Sequence, residues 1–240
     1  MTEELFREDA TLLTCEATVV AVDDASVVLD RTVFYPLGGG QAGDAGLLRL
    51  PDGRDVAVVD THKHKERPGA IAHVLASDAD PGSIAPGMRV MACVDAERRR
   101  AHMRFHTATH LLCALVPHPV DGCSITAGYA RLDFHMTEPL DKEALTAGIA
   151  RLVAGAHPVR HRWISEEELD ANPGLVRSMS VQPPRGLGRV RVLEIEGVDL
   201  QPCGGTHVAN TADVGGVVVT KVEKKSAHTR RVVLGFADAA

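Results

Sequence analysis

Between Cys15 and Tyr35 the chain reads CEATVVAVDDASVVLDRTVFY, two runs rich in β-branched and apolar residues joined at Asp23-Asp24. Such residues suit a pleated strand and the paired aspartates suit a turn, so the stretch predicts a hairpin. The segments RDVAVVDT, AIAHVLA and GMRVMACVD repeat the pattern, with turn-forming Pro, Gly and Asp between them. Short strands at this spacing predict a small N-terminal β-barrel. The pattern changes at Asp95. Phe105, Ala108, Leu112 and Leu115 recur every three or four residues, the period of one helix face, with Asp95 placed to cap the start and Pro117 to mark the end. A boundary here divides the chain into residues 1–94 and 95–240.

Beyond the boundary, YARLDFHM reads as a strand, DKEALTAGIARLVAGA as a helix starting at Asp141, and PVRHRWIS as a strand. EEELDAN is a short helix stopped by Pro173. An irregular Pro/Gly-rich passage, NPGLVRSMSVQPPRGLG, precedes three further strands: RVRVLEIEG, GGVVVTKVEK and TRRVVLGF. Strands and helices without strict βαβ alternation predict an α+β fold, a small β-barrel followed by helices packed on an antiparallel sheet. No internal repeat is visible, and the only biased tract is the short alanine-rich tail.

With 240 residues and 45% hydrophobic content, the chain can bury a substantial core in one large or two modest domains. No apolar run is long enough to span a membrane, and MTEELFREDATLL lacks the basic end and apolar block of a secretion signal, so the expected address is cytoplasmic. Five scattered cysteines, an odd number, argue for reduced thiols rather than a disulfide framework, and only Cys203 has a ligand-like neighbourhood.

The net charge of −6 means that a polyanionic partner must be drawn by local clusters. Arg98, Arg99, Arg100 and Arg104 form one; Arg185, Arg189 and Arg191 a second; Lys221, Lys224, Lys225, Arg230 and Arg231 a third. For any single cluster, a solvated face balanced by nearby acids is the favoured explanation. Aromatics are 3% of the chain, too few for a platform that stacks many unpaired bases, but compatible with backbone contacts or one stacked terminal base.

Two pairs suggest chemistry. His106 and His110 in RFHTATHLL stand one helical turn apart, a spacing that lets both imidazoles face one ion. His102 and Cys113 lie close to the same stripe, so the helix alone does not say which pair binds. Cys203 and His207 in QPCGGTHV offer a thiolate and an imidazole on a glycine-containing loop that can wrap closely around an ion. Together the pairs make a His/His/Cys/His set that suits zinc better than oxygen-seeking magnesium or calcium. A structural four-ligand zinc is the competing explanation. His62 and His64 in HKH are a rival pair that also reads as an exposed turn. GGGQ, ending at Gln41, could let backbone amides approach phosphate, but no Lys-Ser/Thr ending follows, and a flexible barrel turn explains it equally.

HTATHLL, RLDF at 131–134 and DLQPCGGTHVANTADVG at 199–215, in that order, resemble the editing domain shared by alanyl-tRNA synthetase and its free-standing relatives, the AlaX alanyl-tRNA editing proteins. FYPLGGGQAGDAG at 34–46 resembles the glycine-rich motif that precedes this domain in the medium-length members and the synthetases. The resemblance covers nearly the whole chain. It implies a hydrolase that acts in trans on mischarged tRNA for alanine, bearing serine, with glycine as a second candidate. By motif matching it implies one zinc per chain on His106, His110, Cys203 and His207, either activating water against the ester or anchoring the substrate while a second water attacks. No protein partner is implied. For the acyl pocket the candidates are Gln41, Thr107, Thr109, Ser124 and Thr126, each of which also has an ordinary structural explanation. Two departures stand out: HPVDGCSITAG falls where the synthetases carry a glutamine implicated in the pocket, and KKSAHTRR lacks the glycine often found in that turn. A tRNA-binding module with structural zinc and an editing deacylase for threonyl-tRNA are the alternatives.

Overall fold

A computed structural model describes residues 1–179, 182–183, 185–186 and 188–237. The end of the alanine-rich tail and four positions of the irregular Pro/Gly passage lie outside them. The chain forms two compact units: residues 1–38 with 42–100, and residues 39–41 with 101–240.

The first unit contains β1 (Glu3–Glu4), β2 (Thr14–Asp23), β3 (Ser26–Leu29), β4 (Arg31–Thr32), β5 (Gly46–Arg49), β6 (Asp55–Lys63), β7 (Ile71–Leu75) and β8 (Arg89–Val94). Six of these close a barrel in the order β2-β3-β7-β6-β5-β8, while β1 and β4 pair separately in parallel. The expected hairpin is β2–β3, with Val22 opposite Val27 and Asp23 opposite Ser26. Alternate residues such as Val27, Leu29, Val56, Val58, Val90 and Ala92 fill the interior. β5 carries no strong strand pattern, yet it completes the barrel by pairing with both β6 and β8. Its first residue has to be glycine, because a Cβ on Gly46 would lie 2.1 Å from the Cys93 carbonyl oxygen.

Two buried polar side chains of this unit, Arg99 and His73, find their partners within it. Arg99 and Asp44 form an ion pair with side chains 1% and 0% exposed. Arg99 Nε donates to Asp44 Oδ2 at 3.0 Å and Nη1 to the Ala10 carbonyl at 2.7 Å, while Asp44 Oδ2 also accepts the Tyr35 N–H. His73 lies with Nδ1 3.0 Å from the Val27 carbonyl and Nε2 2.8 Å from Thr32 Oγ1.

α1 (Ala96–Leu115) begins with the Asp95 carboxylate accepting the Arg98 N–H, as the sequence suggests. Its residues through Arg100 group with the first unit and the remainder with the second. The second unit continues with β9 (Val120–Ile125), β10 (Ala130–His135), α2 (Lys142–Ala154), β11 (Val159–Ser165), α3 (Glu166–Ala171), β12 (Arg189–Ile195), β13 (Asp199–Pro202), β14 (Val217–Ser226) and β15 (Thr229–Phe236). These strands make two antiparallel sheets, β14-β15-β10-β9 and β11-β12-β13. α2, capped by Asp141, packs on β14, and Gly148 permits its close approach to Leu115. The architecture is therefore the α+β arrangement predicted, with two sheets in the second unit.

Two features place the candidate site. The outer edge of β9 is covered at both ends: Gln41 bridges Ile125, and Ser178 bridges Val120. In addition, every residue of α1 from 105 to 113 is buried, polar ones included. A helix buried all round must find partners for its polar side chains. No helix among the described residues is long and apolar enough to cross a membrane.

Candidate metal centre

His106 and His110 follow each other on α1, with ring centroids 5.6 Å apart. Cys203 and His207 come from the loop after β13. One ligand atom from each of the four lies within 4.8 Å of the others, so the set could hold a metal ion. Cys203 Sγ is 3.5 Å from His106 Nε2 and 3.2 Å from His207 Nε2. The loop reaches the helix because Gly205 has no side chain: a Cβ there would lie 2.1 Å from His106 Cε1. Buried Arg191 on β12 steadies the loop by donating to the carbonyls of Cys203 at 2.8 Å and Gly205 at 3.3 Å.

Each imidazole is held through its other nitrogen. His106 Nδ1 is 2.7 Å from Gln41 Oε1, His110 Nδ1 is 2.8 Å from Asp199 Oδ2, and His207 Nδ1 is 3.2 Å from Thr107 Oγ1. Amide and carboxylate oxygens accept, so His106 and His110 carry their protons on Nδ1, which leaves Nε2 lone pairs for a ligand role. Asp199 is oriented by Gln201 Nε2 at 2.8 Å, with the Arg177 guanidinium 3.8 Å away.

Charge follows this geometry. Burial opposes a thiolate at Cys203, but His106 and His207 beside it hold its pKa well below the ordinary thiol value. Burial, assisted by His106, pushes His207 down to about 3. Burial also works against charge on His110, yet the hydrogen bonds to Asp199 and Cys203 raise it to about 10. Asp199 and the Cys203 thiolate thus flank His110 and favour positive charge there, a place that a cation could take in exchange for the Nε2 proton. Cys113 and Cys123 differ, since burial pushes both up to about 12 and keeps them as thiols.

The other candidate residues fall in several places. Gln41 and Thr107 are fully buried and touch histidines of the cluster. Thr109 donates back to the His106 carbonyl at 2.7 Å. Thr126 donates to the Tyr129 carbonyl and accepts from the Gly128 and Tyr129 N–H groups, building the β9–β10 turn. Ser124 pairs with Arg131 and, by strand alternation, faces opposite to Cys123, against which Gly40 packs. His102 is buried outside the cluster, and His64 belongs to a turn with Asp23 and Arg67.

Most cationic residues of the three clusters have protein partners. Arg98 donates to the Gly43 carbonyl, Arg104 to Val214, and Arg230 to Glu138, while Arg189 lies over Trp163. Lys225 and Arg231 converge on Asp133, and Arg185 pairs with Asp170. Asp199, Gln201, Arg177 and Arg191 were not singled out as site residues by the sequence. For two of them a signal existed: Asp199, Gln201 and Cys203 alternate, as residues on one face of a strand do.

Two family matches place the chain among modules related to the class II tRNA synthetases. Residues 190–233, which include Cys203 and His207, match the family described as threonyl and alanyl tRNA synthetase second additional domain, and residues 8–98 match tRNA synthetases class II (A). The AlaX-M alanyl-tRNA editing protein of Methanosarcina barkeri is 35% identical over 99% of this chain and 100% of its own length; that of Saccharolobus solfataricus is 32% identical over 97% and 98%. The alanine–tRNA ligase of Metallosphaera sedula is 37% identical over 93% of this chain, which matches 25% of that enzyme. The chain belongs to the family of AlaX-M alanyl-tRNA editing proteins.

Proposed function

We propose that this chain is a trans-editing aminoacyl-tRNA deacylase. It hydrolyses the ester joining serine, and secondarily glycine, to the acceptor end of tRNA for alanine, with one zinc ion per chain and in the cytoplasm. The observation that carries the proposal is the convergence of His106, His110, Cys203 and His207 within 4.8 Å. The names of its relatives, which are editing proteins for alanyl-tRNA, support the substrate class.

The donor set fits zinc. Three imidazoles and one thiolate with no carboxylate among them suit a borderline-soft ion. Zinc–ligand bonds of about 2.0–2.3 Å put tetrahedral ligand atoms roughly 3.3–3.6 Å apart, close to the 3.2 and 3.5 Å found at Cys203 Sγ. Zinc held there would supply Lewis acidity toward the ester carbonyl and toward water.

The chain's own residues set the stage for this. Gln41, Asp199 and Thr107 orient the imidazoles, and the side-chain-free Gly204-Gly205 pair keeps the loop slim beside the ligands. The ester is activated, so no protein nucleophile is required, and the Cys113 and Cys123 thiols are unsuited to that role. Serine is distinguished from alanine by a polar group that is left unpaired when the hydroxyl is missing. Thr107 suits this role better than Thr109 or Thr126. Its oxygen accepts the Val208 N–H and lies 3.2 Å from His207 Nδ1, beside the cluster, whereas Thr109 and Thr126 donate their hydroxyls to backbone carbonyls.

The test is release of serine from seryl-tRNA for alanine, with alanyl-tRNA as control and metal content measured in parallel. Serine release should exceed alanine release, cease on chelation and return with zinc. Cys203→Ala should lose the metal and slow turnover more than about 100-fold, beyond the usual loss from removing an outer partner. Four protein ligands are also the full shell of a structural zinc, so binding of the tRNA without turnover would establish the binding-module reading. Turnover confined to a threonine-accepting tRNA would redirect the assignment to threonyl-tRNA editing.

A further inference from the structure

Gln41 touches the cluster but belongs to neither α1 nor the loop after β13. It is fully buried. The segment Gly39–Gln41 lies along the edge of β9, where Ile125 N–H donates to the Gly40 carbonyl at 2.8 Å and Gln41 bridges Ile125. Glycine sets this placement: Gly40 has φ +86°, and a Cβ on it would lie 2.9 Å from Cys123 Cβ and Sγ. From there the Gln41 amide reaches both halves of the ligand set. Oε1 faces His106 Nδ1 at 2.7 Å and the Thr206 N–H at 3.2 Å, and Nε2 donates to Thr206 Oγ1 at 2.9 Å.

The orientation of that amide is fixed by chemistry. A backbone N–H can only donate, so the atom facing Thr206 N is the oxygen, and the His106 nitrogen facing the same oxygen must carry a proton. Both acceptor sites of Oε1 are then used within the protein. We infer that Gln41 is a positioning residue for the metal centre: it fixes His106 with its proton on Nδ1 and ties the helical half of the site to the loop half, and it is not a substrate contact. The inference rests on the zinc reading above and adds the residue that assembles the site. The glycine-rich segment thereby has a structural task at the centre, which the side-chain-free Gly40 makes possible.

The experiment compares metal affinity of the full chain with Gln41→Met and Gln41→Glu, by competition with a chromogenic chelator for zinc and by the absorption spectrum of the cobalt(II)-loaded protein. Met keeps the volume and removes the acceptor, so affinity should fall about 10- to 100-fold, the usual cost of losing an outer partner. Glu keeps an acceptor for both His106 and Thr206, so it should bind zinc with nearly wild-type affinity and retain the cobalt spectrum. Thr206→Val removes only the Nε2 partner and should weaken binding less than Gln41→Met; circular dichroism checks that each variant folds. Wild-type affinity in Gln41→Met, with KM raised equally in the Met and Glu variants, would overturn the inference and make Gln41 a substrate contact. If the wild-type protein takes up no stoichiometric zinc, the zinc reading itself fails and this inference falls with it, a result visible before any variant is made.

Discussion

Both units bury histidine, but they complete its hydrogen bonding differently. In the barrel, His73 has an oxygen partner at each ring nitrogen, Val27 O and Thr32 Oγ1. In the second unit, His106 and His207 are held through Nδ1 and turn Nε2 toward a sulfur. Burial pushes His73 down to about 4, so it is neutral and inert. In the cluster, burial still pushes His207 down to about 3, but at His110 the hydrogen bonds to Asp199 and Cys203 outweigh it and raise the pKa to about 10. Burial of titratable groups therefore does not by itself mark a functional site. What marks it is a set of lone pairs oriented from behind and converging on one point.

The contrast can be broken most strongly from the barrel side. Asp44→Ala would leave Arg99 charged and buried without its counter-ion, which typically costs about 3–5 kcal/mol. Hydrogen exchange of barrel amides reads this locally, and protection close to wild type would refute the structural role of the pair. Arg98→Ala is the control, since Arg98 is only half-buried and serves one carbonyl.

His73 predicts a smaller, pH-dependent effect. Its pKa falls from 6.5 when unfolded to about 4 in the fold. Between these values the unfolded chain takes up a proton that the native protein refuses, so its contribution to stability is fully present above pH 6.5 and declines as pH falls towards 4. The total is about 3 kcal/mol at 1.36 kcal/mol per unit. Exchange of the β3 and β7 amides should show this decline in the wild type and a flatter profile in His73→Gln. Parallel profiles would mean that His73 does not titrate in this way.

The barrel was legible where side chains alternate strongly, as in β2, β3 and β6 to β8. β5, β9 and β13 were not, because glycine, aspartate, glutamine and proline interrupt their apolar runs. Their strand character comes from neighbours: β5 from pairing on both sides, and β9 from β10 and the two segments covering its edge. The four ligand candidates could be read from two pairs at four-residue intervals taken together with the resemblance of their motifs to a known editing domain. Their partners could not, since Gln41 is 65 residues from His106 and Asp199 is 89 from His110, distances that only the fold brings together. The arginine runs show the converse: Arg99 and Arg191 resemble nucleic-acid contacts in sequence but are buried, one against Asp44 and the other against the loop that carries Cys203 and His207.

Asp199 gives the sharpest small test of the difference between the two histidine environments. Its carboxylate is wholly buried, accepts from His110 Nδ1 and is steadied by Gln201. Asp199→Asn keeps the shape and an oxygen that can still receive the His110 proton, but removes the negative charge. If only geometry matters, metal affinity should stay at the wild-type value. Charge is also at work, because Asp199 is one of the groups raising the His110 pKa, and loss of it makes the imidazole a weaker donor to a cation. Zinc affinity should therefore fall about 10-fold, at the low end for an outer partner, while Asp199→Ala, which loses shape as well, should approach 100-fold. An Asn variant that binds zinc as tightly as the wild type would make Asp199 a spacer for the imidazole, leaving orientation alone to separate His110 from His73.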